Sequence, residues 1–211
     1  MKRLFLMVAL LATTLSSAVF AQKQIFEAPN LKTVLKTHKL VAILPLRVTI
    51  SYKKLPKNYN AADNDVQQKQ EGVNMQSGMY TYLLRKSSDY YVSFQDVQRT
   101  NVLLKQAGVY DKLESLTADS IARILKVDAV IQSSYAYERT ASEAAAIAKT
   151  LVFGFGGSTA SGSLTMQINS GSDGNLLWRF YKEMNEGAFT TADELMERMM
   201  KKVARNFPYE K

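Results

Sequence analysis

The chain has 211 residues, 46% of them hydrophobic, and 27 Lys and Arg against 19 Asp and Glu give a net charge of +8 at pH 7. It carries one histidine and no cysteine. Without a thiol, a structural disulfide, a thiolate zinc site and a cysteine nucleophile are excluded.

Lys2-Arg3 form a positive n-region, Leu4 to Leu15 an apolar h-region and Ser16 to Ala21 a small-residue c-region. Val19-Phe20-Ala21 fits the small-x-small rule, so residues 1–21 read as a signal peptide with Gln22 as the new N-terminus. The apolar core falls short of the roughly 20 residues that span a bilayer of about 30 Å. Loss of Lys2 and Arg3 lowers the net charge to +6 and leaves residues 22–211 as one expected domain. A bacterial lipid anchor needs a cysteine directly after the signal, so the expected product is periplasmic and unanchored. A pI near 9.5 favours anionic surfaces. No nucleic-acid-binding motif accompanies it, and no nucleic-acid partner is expected.

Gln22 to Pro29 reads as an irregular lead-in, and Asn30 caps a short helix through Lys36. Lys39 to Ile50 is the organising strand: Leu40 to Leu44 are uniformly apolar, and after Pro45 the pattern alternates. Leu46, Val48 and Ile50 point one way, Arg47 and Thr49 the other. Pro45 offers no N–H to a ladder, which predicts a bulge or one-sided pairing there. Tyr52 to Asn60 is a basic, aromatic loop.

Ala61 to Lys86 is helical, capped by Asp63 or Asn64, with Val66, Val73, Met79, Tyr80, Leu83 and Leu84 as its apolar face. Gly72 and Gly78 each weaken it by about 1 kcal/mol relative to alanine, unless they let it approach the sheet closely. Tyr90 to Phe94 reads as a short strand, and Asp96 to Ala107 as a helix with Gly108 at C′. Thr117 caps a helix over Ala118 to Lys126. Val127 to Gln132 is a buried strand continuing through Tyr135 and Tyr137.

Ser142 to Ala148 reads as a helix, while Leu151 to Gly157 fits no regular element. Leu164, Met166 and Ile168 mark a strand, joined through the turn Ser170 to Asn175 to another over Leu176 to Met184, a β-hairpin. The final helix opens on the capping box Thr191-x-x-Glu194 and places Lys201, Lys202 and Arg205 late, as the helix dipole favours. Its stripe of Leu195, Met196, Met199, Met200, Val203 and Phe207 is expected to dock on the sheet. The order of elements predicts an α/β domain with a mixed sheet of about five strands, a C-terminal hairpin and a closing helix.

Chemistry is sparse. Any Ser-His-Asp arrangement must use His38, and neither Thr37 nor Lys39 is an acid that orients an imidazole, so it reads as a surface or strand-entry residue. No G-x-S-x-G elbow and no phosphate-binding loop is present; Gly154-Phe155-Gly156-Gly157 has Thr159 where a dinucleotide fingerprint needs glycine. Asp63-Asn64-Asp65 and Ser172-Asp173-Gly174-Asn175 do not continue into calcium loops, so no metal and no cofactor is expected. Glu138 with Glu143, or Glu183 with Glu186, pair as glycosidase acids only if the fold happens to join them.

Two stretches remain as contact candidates. Leu151, Val152, Phe153 and Phe155 form an apolar, glycine-rich segment, either folded on the core or exposed to a partner. Tyr52, Lys53, Lys54 and Tyr59 lie in the basic loop, either a solvated connection or a surface for an anionic partner.

Several stretches taken together resemble the envelope-protein superfamily of the curli secretion protein CsgG, the penicillin-binding-protein activator LpoB and the TolB N-terminal domain. They are Val41 to Leu46, the helix and strand ending at Phe94, Leu125 to Ile131, Gly174 to Trp178, and the closing helix with Phe207-Pro208-Tyr209. The resemblance implies a non-enzymatic role: binding an envelope protein or itself, with oligomer formation and contact with a membrane surface both open. The alternative it implies is an outer-membrane-associated assembly or secretion component. Against that alternative, neither Tyr52 to Gln70 nor Arg139 to Gly162 shows the alternating segments of a transmembrane hairpin.

Overall fold

Strand β5, Ala129–Arg139, is the axis of the molecule in the computed structural model, which describes residues 23–139, 159–184 and 192–211. On one side β5 pairs in parallel with β2 (Leu40–Ile43) and β3 (Arg47–Tyr52); on the other it pairs antiparallel with β6 (Thr159–Ser170). β7 (Leu176–Met184) and β1 (Gln24–Glu27) continue the antiparallel side, and β4 (Ser93–Phe94) lies parallel to β2. The seven-stranded sheet runs β1-β7-β6-β5-β2-β4, with β3 on β5 beyond the end of β2.

The expected mixed sheet is present, with seven strands where about five were expected, and both extra strands have physical causes. The lead-in forms β1, because Gln24 to Glu27 pair with the open edge of β7. The organising strand divides at Pro45. Ile43 faces Ile131 and Arg47 faces Ser134, so Leu44, Pro45 and Leu46 stand against only Gln132 and Ser133. This is the bulge that the missing N–H of Pro45 predicts. Beyond it Leu46, Val48 and Ile50 are buried and Arg47 and Thr49 exposed, as the alternation requires.

Helices cover both faces of the sheet. On one, Met75, Met79, Tyr82 and Leu83 of α2 (Ala61–Arg85) and the stripe of α5 (Ala192–Ala204) pack on Ile131, Tyr135, Met166, Ile168, Trp178 and Phe180. The short α1 (Leu31–Leu35) adds Leu31 and Leu35. All six residues of the expected C-terminal stripe are buried. On the other face, Leu104 of α3 (Val97–Gln106) and Ile121, Ala122 and Leu125 of α4 (Ala118–Leu125) cover Ala42, Leu44 and Val130.

Several expectations need correction. Asn60, not Asp63 or Asn64, caps α2: its side chain accepts from the Ala62 amide. Val66 and Leu84 are exposed, because the buried stripe of α2 passes through Glu71, Gly72, Met75, Gln76, Met79, Tyr82 and Leu83. Tyr90 to Phe94 reduces to the two residues of β4 and an isolated bridge between Tyr90 and Glu210. Gly108 has φ of 68°, the left-handed conformation expected of a C′ glycine. The expected helix over Ser142 to Ala148 and residues 185–191, with the capping threonine, lie outside the described residues. No described helix is long and apolar enough to cross a membrane.

Candidate functional site

β3 and β5 end together. Tyr52 pairs with Arg139, Arg139 pairs with Thr159 of β6, and the Lys53 amide donates to the Arg139 carbonyl at 2.9 Å. At this end the chain leaves Arg139 for residues 140–158 and comes back at Thr159. Leu151, Val152, Phe153 and Phe155 belong to that stretch and lie outside the described residues. The basic loop turns at the same end. The loop of Tyr52, Lys53, Lys54 and Tyr59 therefore starts beside Arg139 and Thr159, the residues that bound this segment, a juxtaposition the separate sequence positions did not reveal.

The loop is held in shape. The Tyr52 hydroxyl donates to Asn64 Oδ1 at 3.0 Å, Tyr59 meets the Tyr52 ring edge-on at 5.4 Å, and the Tyr59 amide donates to the Pro56 carbonyl at 3.1 Å. Lys53, Lys54, Leu55, Lys57 and Tyr59 are exposed.

Beneath it lies a buried polar network that the sequence reading missed. Arg139 and Glu71 form an ion pair at 3.3 Å with side chains 7% and 8% exposed. The Arg139 guanidinium donates to the Tyr137 hydroxyl at 2.8 Å, and that hydroxyl donates onward to Glu71 Oε2 at 2.9 Å. Gln67 completes the set, donating to Glu71 at 3.0 Å and accepting from Arg139 at 3.3 Å. Burial pushes the Glu71 carboxyl above its usual range, against the pull of Arg139 and the Tyr137 and Gln67 hydrogen bonds. Burial, reinforced by the Glu71 charge, pushes the Tyr137 phenol far up, so it stays a donor. The signal was present in the alternation of β5: Tyr135, Tyr137 and Arg139 share the core face, so Arg139 needs a buried acid opposite.

The other candidates separate. His38 is at the strand entry, as expected, but buried rather than on the surface, with Nδ1 2.7 Å from the Tyr209 hydroxyl. Burial holds its pKa below the ordinary value, against the opposing charge of Asp128. The Asp128 carboxylate accepts instead from the amides of Lys39 and Leu40, at 2.7 and 2.9 Å. A triad needs a nucleophile on one ring nitrogen and an acid on the other; here a phenol takes Nδ1 and the acid is engaged elsewhere. Glu143 and Glu186 lie outside the described residues.

A groove of about 750 Å³ runs between Pro45–Thr49, the outer side of α2 and the 3-10 turn Tyr110–Ser115. Its cations are engaged within the protein: Arg47 with Glu114 at 3.1 Å, Lys69 with Asp65 at 3.0 Å, and Lys105 over the Tyr110 ring at 4.9 Å. The edge of β3 beside it is partly closed, since the Leu46 amide donates to the Gly72 carbonyl and the Ile50 amide to Gln68. Among the described residues no group of three His, Asp or Glu is placed to hold a metal ion.

No family model matches the chain, and no curated protein matches it. Solved structures do. The lipoprotein GNA1162 from Neisseria meningitidis is 13% identical over 79% of this chain and 96% of its own, with a TM-score of 0.44. The LpoB C-terminal domain from Salmonella enterica is 15% identical over 75% and 94%, with a TM-score of 0.35. The PelC dodecamer from Paraburkholderia phytofirmans is 13% identical over 90% and 98%, with a TM-score of 0.41. Superpositions this loose transfer neither partner nor activity.

Proposed function

We propose that the chain is an exported, non-catalytic envelope protein that acts by contact, binding an envelope protein or a second copy of itself. Cleavage after Ala21 would release it, without a lipid anchor, into the periplasm as the domain 22–211. The contact surface is the end of the molecule where Tyr52, Lys53, Lys54 and Tyr59 flank the departure and return of residues 140–158, with Leu151, Val152, Phe153 and Phe155 as its apolar part. One observation carries this reading. The buried Glu71–Tyr137–Arg139–Gln67 network fixes the strand ends directly beneath that surface, which is the rigid support a binding loop needs.

Photo-cross-linking residues placed at Tyr59 and at Phe153 test it in intact envelopes. A discrete adduct larger than the chain is expected at both positions, and Phe153→Asp together with Phe155→Asp should abolish the adduct formed at Tyr59. Uncross-linked chain alone at both positions would sink the reading.

A further inference from the structure

The loop beside that surface carries cations that no described acid pairs with. From Tyr52 to Asn60 it holds Lys53, Lys54 and Lys57 and no acid. All three lysines are exposed, and none enters an ion pair among the described residues. This contrasts with the groove, where Arg47 and Lys69 are both paired, and with α5, where Lys201 pairs with Glu197. Of the two acids on the adjacent first turns of α2, Asp65 is taken by Lys69, and Asp63 is exposed and pairs with none of the three lysines.

Between the lysines Leu55 is 62% exposed, next to Pro56. An exposed leucine alone needs no explanation. An exposed leucine just before the Pro56–Tyr59 turn, with cations on both sides and the Tyr52–Tyr59 ring pair closing the loop, matches one environment well. Lysines meet phosphates at the level of the headgroups, tyrosines favour the interface, and a single aliphatic side chain reaches the acyl boundary. An acidic polysaccharide or nucleic acid would answer the lysines and leave Leu55 in water.

We infer that the Lys53–Tyr59 loop docks the protein on the surface of a bilayer rich in anionic phospholipid. The inference rests on the proposed function only in requiring this end of the molecule to face outward. Docking would confine the search for a partner to the two dimensions of the membrane surface.

Flotation of the purified chain with vesicles tests it, using phosphatidylethanolamine with 30% phosphatidylglycerol against phosphatidylcholine alone. Binding is expected to the first at low salt, to fall steeply as salt is raised, and to be absent from the second. Each lysine near an anionic surface contributes roughly fivefold in affinity, so Lys53→Ser, Lys54→Ser and Lys57→Ser together should weaken binding about a hundredfold. Leu55→Ser should weaken it roughly tenfold without changing the salt dependence, from the apolar area withdrawn from water. These side chains lie outside the core, so unaltered circular dichroism is expected for both variants. No flotation with either vesicle, equal binding by the triple variant, or full binding by Leu55→Ser would each overturn the inference. Cross-linking at Phe153 is read separately, so failed docking is distinguishable from failure of the protein contact.

Discussion

At the scale of single residues, the largest stake is the Glu71–Arg139 pair. Two charges removed from water lose several kcal/mol of hydration each, recovered only through close, saturated geometry. Here Glu71 has Arg139, Tyr137 and Gln67, and Arg139 also lies over the Tyr137 ring at 5.3 Å. Removing one partner leaves the other charge buried. Glu71→Ala should therefore lower unfolding free energy by about 3–5 kcal/mol, read from urea denaturation. Removing both charges in Glu71→Leu with Arg139→Met should cost far less than the sum of the single changes. Additive losses would show that the two charges do not depend on each other. The network repays its cost through position, since it pins the ends of β3 and β5 beside the basic loop.

Among the elements, the packing of α2 on β3 depends on a residue with no side chain. Both the amide and the carbonyl of Leu46 face Gly72, and a Cβ there would lie 2.1 Å from the Leu46 oxygen. Helix propensity alone favours alanine by about 1 kcal/mol. The clash is with backbone at a proline bulge, so Gly72→Ala should destabilise by about 1–3 kcal/mol despite that preference. A rise in thermal midpoint would refute the close approach. Alternation in Leu46 to Ile50 and periodicity in Leu195 to Phe207 made β3 and α5 legible in the sequence, because burial on one side writes itself as a period. The stripe of α2 was legible only at Met79 and Leu83, because it also passes through Glu71 and Gln76. Gln76 is fully buried, donating to the Ile43 carbonyl at 2.7 Å and to Asn101 at 3.1 Å. A polar residue satisfied by a distant partner looks like surface until the partner is placed. The basic loop was visible as composition; its place beside Arg139 and Thr159 was not, because strand register is a property of the folded chain.

For the molecule as a whole, the C-terminal tail closes the core, and its closure is tied to pH through the only histidine. Tyr209 is fully buried, with its hydroxyl on His38, its ring 5.7 Å from both Phe207 and Tyr91, and its carbonyl accepting from the Tyr91 amide. Lys211 then ties to Asp89 and Ser88. Burial lowers the His38 pKa below the ordinary 6.5, so in acid the unfolded chain takes up a proton before the folded one does. Stability should therefore be complete above pH 6.5 and fall as pH drops from there toward the folded value, by at most about 1.4 kcal/mol per pH unit. Glu71 acts in the opposite sense: its raised pKa makes the folded state bind a proton first as the pH approaches 4.5. Asp128, held low by the Leu40 and Lys39 amides although burial alone would raise it, loses its contribution only below about 3.8. Comparing His38→Gln with the parent between pH 7.5 and 5.5 isolates the histidine, and the variant should lose the downward slope. Tyr209→Phe should keep the slope while lowering stability at every pH by about 1–2 kcal/mol, because the ring nitrogen stays buried without its phenol. A parent chain whose urea midpoint does not change between those pH values would mean that His38 titrates in the folded protein as it does in water. The tail would then be shut by aromatic packing alone.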